Sequence, residues 1–397
     1  MSGSHLAVLG GEAAFPGGLP LVRAGLRDVD VARVLADVEG CLRSGALTSG
    51  RLVRELEDAV ADRLGVDHVI AVANCTLGLV LALRACGVDG ATVSTPSFTF
   101  SATAHAVVWA GAEPVFCDVR PGDYTLDAAD AAAHGPTGGI IATHLYGTPC
   151  RVDELDKLAA DWGVPLVFDA AHALGATYAG RPVGGFGRAE VFSLTPTKVI
   201  TSAEGGLVAT RDADVAEYCR LGREYGNPGD YDCRFAGLNA RMSELHAAVG
   251  LATFADLDRR LGRRHELAAS IHDGLRDVPG VGFPVVAPED SATYKDLTLC
   301  LDPDTFGMDA ATLQRALAAE GVDSRRYYHP PVHRQQAYAS LPQRPLAVTD
   351  DISPRVLALP FWADMDDAEA KTMAALVRDL HEAAPAVTAA LGSGDVA

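Results

Sequence analysis

The sequence predicts an α/β fold: a large domain with a central mixed sheet flanked by helices, and a smaller C-terminal α+β domain. Two observations predict it. Between residues 68 and 210, short apolar runs of strand length recur, with helical stretches between most of them. After about Ala240 that alternation stops, and helical patterns surround a single strand candidate, Leu297–Leu301. The 397 residues are enough for two domains, and 48% hydrophobic residues are enough to fill their cores.

Residues 1–30 are rich in Gly and Pro and read as an arm packed near the C-terminal domain. The large domain is placed at 31–255 and the small one at 256–397. From Arg51, Leu52, Leu56, Val60 and Leu64 recur every four residues, with Arg54, Glu55, Asp58 and Asp62 mostly opposite. That spacing predicts an amphipathic helix, and Gly65 fits its C-cap. Strands are expected at 68–72, 114–119, 139–144, 165–169, 191–194 and 206–210. Helices are expected between them at 78–85, 101–110 and 152–162. One long helix is expected over 242–275, then helices near 309–320 and 367–383. The last residues, 392–397, are expected to fray.

Composition excludes several function classes. The 33 basic and 52 acidic side chains give a net charge of −19, which argues against nucleic acid or an anionic membrane as a partner. Any anionic substrate needs a local cationic site. Cysteines 41, 75, 86, 117, 150, 219, 233 and 300 include no C-x-x-C pair, which favours a reducing compartment over a disulfide framework or a zinc site. No apolar run approaches a membrane span, and no basic-then-apolar leader opens the chain, so a cytoplasmic protein is expected.

Lysine is scarce: Lys157, Lys198, Lys295 and Lys371 are the only ones. Lys198 lies between an apolar run (Val191, Phe192) and a Gly-Gly turn (Gly205, Gly206). A chain that writes nearly every cation as arginine and keeps an amine here points to amine chemistry, since only an amine deprotonates and forms a Schiff base. The plainer reading is a surface lysine beside a turn. Asp169 ends the apolar run Pro-Leu-Val-Phe-Asp, and ligands of open α/β sheets bind at the carboxyl ends of strands; it also reads as a helix cap. His172 follows three positions on and reads equally as a packed core histidine. Asn74-Cys75-Thr76 stands between a strand and a helix, where free N–H groups and a hydroxyl meet an anion, or where Thr76 simply caps. Ser193 supplies a further hydroxyl or bonds to backbone. Phe100, at another strand end, stacks on a flat ring or packs in the core. Together these features describe pyridoxal 5′-phosphate: an amine for the Schiff base, an acid for the pyridinium nitrogen, a phosphate cradle and an aromatic ring face.

The wording and order of several segments resemble the DegT/StrS family of pyridoxal-phosphate-dependent sugar aminotransferases. They are Leu-Thr-Ser-Gly-Arg (47–51), Ala-Asn-Cys-Thr-Leu-Gly-Leu (73–79), Pro-Ser-Phe-Thr-Phe-Ser-Ala-Thr-Ala-His-Ala (96–106), Phe-Asp-Ala-Ala-His-Ala-Leu-Gly (168–175), the lysine segment (191–206), Gly-Leu-Asn-Ala-Arg-Met-Ser-Glu (237–244) and residues 325–338. The resemblance runs from about Gly10 to about Met373. It is nearest the branch that aminates C-4 of nucleotide-linked 4-keto-6-deoxyhexoses in actinomycete antibiotic pathways. It implies the aspartate-aminotransferase-like fold type I and a homodimer with shared active sites. It implies Lys198 as the Schiff-base lysine, Asp169 on the pyridinium nitrogen and His172 at the cofactor's 3-oxygen. Cys75, Thr76 and Ser193 match phosphate positions, and Phe100 the stacking position. Asn239 matches a residue that reaches the neighbouring subunit's phosphate. His333 matches a substrate-side position, and Arg241 and Tyr328 fit the nucleotide-sugar site. Cys75 stands where Gly or Ala is usual, and Leu194-Thr195-Pro196 departs from the usual run before the lysine. The expected reaction is transamination from glutamate to a nucleotide-linked keto sugar, with pyridoxamine phosphate between the two halves. A broad cleft lined by arginines is expected for the pyrophosphate. Amination at C-3 or of scyllo-inosose is the nearest rival. A family dehydratase carries histidine in place of the lysine, and a non-catalytic regulator has no use for Lys198, Asp169 and His333 together. A dinucleotide oxidoreductase lacks support, because Gly10-Gly11 forms no G-x-G-x-x-G.

Overall fold

The computed structural model describes residues 5–26 and 29–392, so the tail beyond Gly392 lies outside it. In chain order the first elements are α1 (Val31–Ser44), α2 (Arg51–Leu64), β1 (His68–Val72), α3 (Cys75–Ala85), β2 (Thr92–Pro96), α4 (Ser101–Trp109), β3 (Glu113–Cys117), α5 (Ala128–His134), β4 (Ile140–Thr143), α6 (Val152–Trp162) and β5 (Leu166–Asp169). A small hairpin of β6 (Thr177–Tyr178) and β7 (Arg181–Pro182) follows, then β8 (Ala189–Ser193), β9 (Gly206–Thr210) and α7 (Ala213–Gly222).

Helix α2 forms as its spacing predicts. Leu52, Val53, Leu56, Val60 and Leu64 are buried, and Gly65 closes the helix at φ 65° with its N–H returned to the Ala61 carbonyl. Each such side chain contributes roughly 1.5–3 kcal/mol by leaving water. Its N-terminus has no local cap. The buried Glu244 carboxylate instead accepts from the N–H groups of Gly50, Leu52 and Val53 at 2.8, 2.9 and 3.0 Å. An anion at a helix N-terminus is favoured by the free N–H groups and the dipole.

Among the described residues, seven strands form the main sheet in the order β1-β9-β8-β5-β4-β2-β3. β9 runs antiparallel to both neighbours, and the other pairings are parallel. The sheet is therefore mixed. Both faces are buried, and the two-residue period divides them. Phe168, Phe192 and Leu207 enter one core with α2, while Val167, Val191 and Val208 enter another with α3. The carboxyl ends of β1, β2, β4, β5 and β8 meet at one edge, where β9 begins at Gly206.

The chain continues as α8 (Glu244–Phe254), α9 (Leu257–Leu275), β10 (Val281–Gly282), β11 (Leu297–Leu301), α10 (Pro303–Phe306), α11 (Ala310–Ala319), α12 (Ala347–Ile352), β12 (Val356–Leu359), α13 (Asp367–Glu382) and α14 (Ala384–Leu391). The single helix expected over 242–275 is thus two. Ser243 caps the first by accepting from the His246 N–H, and Asp256 opens the second with its carboxylate on Arg259 and Arg260. β10, β11 and β12 form an antiparallel sheet. It shares a core with α9, α11 and α13, joined by Leu6 and Leu19 of the arm. Leu19 bridges Val322, and Glu320 accepts from the N–H groups of Ala7 and Ala14. No helix among the described residues is long and apolar enough to cross a membrane.

Candidate active site

The sheet edge opens into a cavity of about 320 Å³. Lys198, Asp169, His172, Ser193, Cys75, Thr76, Phe100 and Tyr328 all line it. Strand ends bring them together, which is where a doubly covered sheet leaves backbone and side chains free for a ligand.

Lys198 follows β8 on a loop held at several points. Leu194 donates to the Gly205 carbonyl, Ser202 N–H and the Thr201 hydroxyl donate to Leu194, and the Lys198 N–H donates to Thr195 at 3.0 Å. Burial, reinforced by the Lys295 cation, lowers the Lys198 amine to about 8. About a fifth is then neutral near physiological pH, against roughly one in a thousand for an ordinary lysine.

Asp169 ends β5 and is 4% exposed. Its Oδ2 accepts from the Thr103 hydroxyl at 2.7 Å and its Oδ1 from the Ala171 N–H at 3.1 Å. Burial raises its pKa, and those two hydrogen bonds oppose the rise. Thr103 is itself joined to Thr99, and Thr99 to Thr143, both at 3.0 Å. Among the described residues no cation is hydrogen-bonded to Asp169; Lys198 acts on it only at a distance, across the same cavity. Such a group calls for a cationic ligand. His172 is buried, its pKa is pushed well below normal by desolvation and then by Lys198 and Lys295, and its Nδ1 has no partner. A neutral ring with an open nitrogen suits a polar ligand atom.

The N-terminus of α3 forms the opposite wall. Asn74 caps it through the Leu77 N–H at 2.9 Å. The Cys75 thiol donates to the Val191 carbonyl at 3.5 Å, so what Cys75 offers an anion is its N–H. Gly206 makes the close approach possible: a Cβ there would stand 2.6 Å from Asn74 C and Cys75 N. Ser193 lies 3.3 Å from the Thr195 hydroxyl. Phe100 is 57% exposed, and its ring centre lies 6.2 Å from that of Tyr328. The donors and acceptors fit pyridoxal phosphate: open N–H groups for an anion, an unpaired acid for a ring cation and an amine for a carbonyl.

Three expected residues lie off this wall. His333 is 2% exposed and bonds to Ser97, with Asp350 3.3 Å from its Nε2, so it supports the segment leading to Phe100. Arg241 pairs with Glu224 at 2.9 Å and donates to the exposed Asn239 at 3.0 Å. Their strand-like segment runs beside the end of β1 through the Val72 bridge. Residues of the site that were not expected include Thr143, Tyr327 and Lys295 on the cavity wall and Thr103 on Asp169. Lys295 did carry a signal, since the scarcity of lysine marked it as much as Lys198.

The DegT/DnrJ/EryC1/StrS aminotransferase family model matches residues 29–378. The chain belongs to this family. The 3-aminotransferase of UDP-N-acetyl-3-dehydro-α-D-glucosamine from Acidithiobacillus ferrooxidans is 34% identical over 365 residues, 89% of this chain and 94% of that one. The solved structure of DesI in the presence of its TDP-sugar product has a TM-score of 0.91 at 37% identity, covering 97% of this chain and 98% of the other. That of S. venezuelae DesV in complex with a ketimine intermediate has a TM-score of 0.86 at 32% identity, covering 92% and 99%. The fold is that of the type I pyridoxal-phosphate aminotransferases. The protein is a nucleotide-sugar aminotransferase and its cofactor is pyridoxal phosphate.

Proposed function

We propose that the chain transfers an amino group from glutamate to C-4 of a nucleotide-linked 4-keto-6-deoxyhexose, dTDP-4-keto-6-deoxyglucose, giving dTDP-4-amino-4,6-dideoxyglucose. One observation carries the chemistry: a lysine lowered to about 8 and a buried carboxylate with no bonded cation face one cavity. The DesI likeness, solved with a TDP-sugar, supports the substrate class.

When bound, pyridoxal phosphate supplies the electron sink for proton removal beside the amine. Lys198 would hold the cofactor through its amine and, once released, would carry the proton between the substrate carbon that bears nitrogen and the cofactor's C4′, away from the donor carbon in the first half and onto the sugar carbon in the second. Asp169 keeps the ring nitrogen protonated by opposite charge, with Thr103 and Ala171 fixing its two oxygens. His172 offers its open Nδ1 to the 3-oxygen. The α3 N–H groups, with the Thr76 and Ser193 hydroxyls, hold the phosphate. Phe100 covers the ring face. Tyr328 orients the sugar, and His333 acts on the substrate side by holding the 97–100 segment.

A recess of about 380 Å³ adjoins the cavity, shares Phe100, Tyr327 and Tyr328 with it, and carries Arg325 and Arg326. Guanidinium groups there suit the pyrophosphate and offset the overall charge of −19. The working unit in this reading is a homodimer. Val31, Leu35 and Leu42 leave an apolar face of α1 exposed at 57–62%, which a second copy covers. Asn239 then reaches the phosphate of the second copy, with Arg241 beside it. The antibiotic setting rests on the resemblance of segments alone.

The test is an absorbance scan of the loaded protein. Glutamate should remove the band near the visible edge, and dTDP-4-keto-6-deoxyglucose should restore it. Restoration by a 3-keto sugar instead would establish the second reading, C-3 amination, which the 34% identical 3-aminotransferase favours. No band at all would remove Lys198 from its role.

A further inference from the structure

Lys295 is the second cation on the cavity wall, and nothing in the reaction above uses it. It sits just before β11 in a segment tied to the loops that follow β4 and β5. Its own N–H donates to the Tyr146 carbonyl at 2.9 Å, Thr293 N–H donates to Gly147 at 3.2 Å, and the Thr293 hydroxyl donates to the His172 carbonyl at 2.6 Å. The side chain is 8% exposed. Its Nζ lies 2.6 Å from Asp296 Oδ1 and 5.5 Å from the centre of the Tyr327 ring. The ammonium is therefore held by Asp296 and the Tyr327 ring on a residue that lines the cavity, with one of its three donors on Asp296.

The amino donor brings a requirement that the sugar does not. An α-amino acid carries a carboxylate next to its reacting carbon, whereas the keto sugar presents a neutral ring there. A carboxylate entering a chain of net charge −19 needs a local cation. Among the described residues, the Lys and Arg cations on this wall are Lys198 and Lys295, with no arginine. Lys198 is committed to the cofactor, and Arg325 and Arg326 stand in the outer recess. We propose that Lys295 is the binding residue for the α-carboxylate of the amino donor, and that Asp296 holds it for that task. The inference rests on the aminotransferase reading and on no particular sugar. The depression of both Lys198 and His172 by Lys295 agrees with a cation that faces the reacting atoms.

The test uses the loaded enzyme and the donor half-reaction alone. Glutamate is compared with isoglutamine, in which an amide replaces the α-carboxylate. Lys295→Gln should raise the KM for glutamate about tenfold to a hundredfold, the range for losing a hydrogen bond to a charged group, and leave the KM for isoglutamine within about twofold. Lys295→Arg should recover part of the loss. Because Lys295→Gln leaves Asp296 buried without its partner, the double variant with Asp296→Asn is measured alongside, and the same split is expected. Equal rises for both donors, or no rise for glutamate, would overturn the assignment. A wrong sugar assignment would show separately, as failure of the second half-reaction in the unaltered chain.

Discussion

Thr103→Val removes one hydroxyl and keeps the shape of the side chain. In the structure that hydroxyl donates to Asp169 Oδ2 at 2.7 Å, with both residues buried. Hydrogen bonds to a buried charged group are worth about 1.5–3 kcal/mol. Asp169 keeps only the Ala171 N–H, and its ionised form loses that amount of support. Cofactor affinity that depends on the ionised carboxylate should fall about tenfold to a hundredfold. The pH dependence carries the same signature. Burial already raises the Asp169 pKa in the cofactor-free chain, and the Thr103 bond lowers it. Affinity should rise as pH rises through that pKa and then level off. In Thr103→Val the rise should be displaced to higher pH, and in Thr103→Ser it should stay near its original place. Titrating cofactor-free protein with pyridoxal phosphate at several pH values, followed at the visible edge, measures both effects. If the valine variant bound within about twofold of the parent at every pH, Asp169 would not be acting as an anion toward the cofactor. Thr99 keeps Thr143 as a partner, so the substitution strands no second hydroxyl.

Two further outcomes follow from the same site. The Lys198 amine titrates near 8, so the rate at which visible-edge absorbance develops after mixing with cofactor should rise through that pH and level above it. A rate still climbing at pH 10 would mean an ordinary lysine, and Lys198→Arg should develop no such absorbance. Gly206→Ala puts a methyl 2.6 Å from the start of α3. It should cost about 1–3 kcal/mol, seen as a lower Tm, with a larger loss when the cofactor is present. An unchanged Tm in both states would mean that the helix yields freely there.

Much of the fold could be read because one period governs each element. The four-residue spacing of Leu52 to Leu64 and the apolar runs ending at Asp169 and Ser193 describe α2, β5 and β8 with little outside help. β2 was harder, since its run Thr-Val-Ser-Thr-Pro is polar in composition, and its buried hydroxyls are satisfied by Thr137 in the loop before β4 (Ser94) and by the Val93 carbonyl (Thr95). The residues that bond to the chemical groups were the least legible. Thr103 looks like any threonine in an alanine-rich helix, and its partner lies 66 residues away. Lys295-Asp296 reads as a polar loop until the segment is seen pinned to residues 146, 147 and 172. His333 shows the reverse: its sequence match suggested direct contact, while packing sets it behind the wall with Ser97.

The position of β1 at the sheet edge has a consequence for biosynthesis. β1 leads directly into the start of α3, proposed above to hold the phosphate, yet its sheet partner is β9, which begins at Gly206. The helix that precedes β1 also waits for Glu244 to reach its N-terminus. The earliest part of the proposed cofactor cradle to be synthesised is therefore completed by the latest part of the large sheet. A nascent chain shorter than about 210 residues exposes β1 with no strand to pair with. Cofactor capture cannot guide the first half of folding; it can only follow the arrival of β9, and premature stops in that interval leave an aggregation-prone edge rather than a partial enzyme.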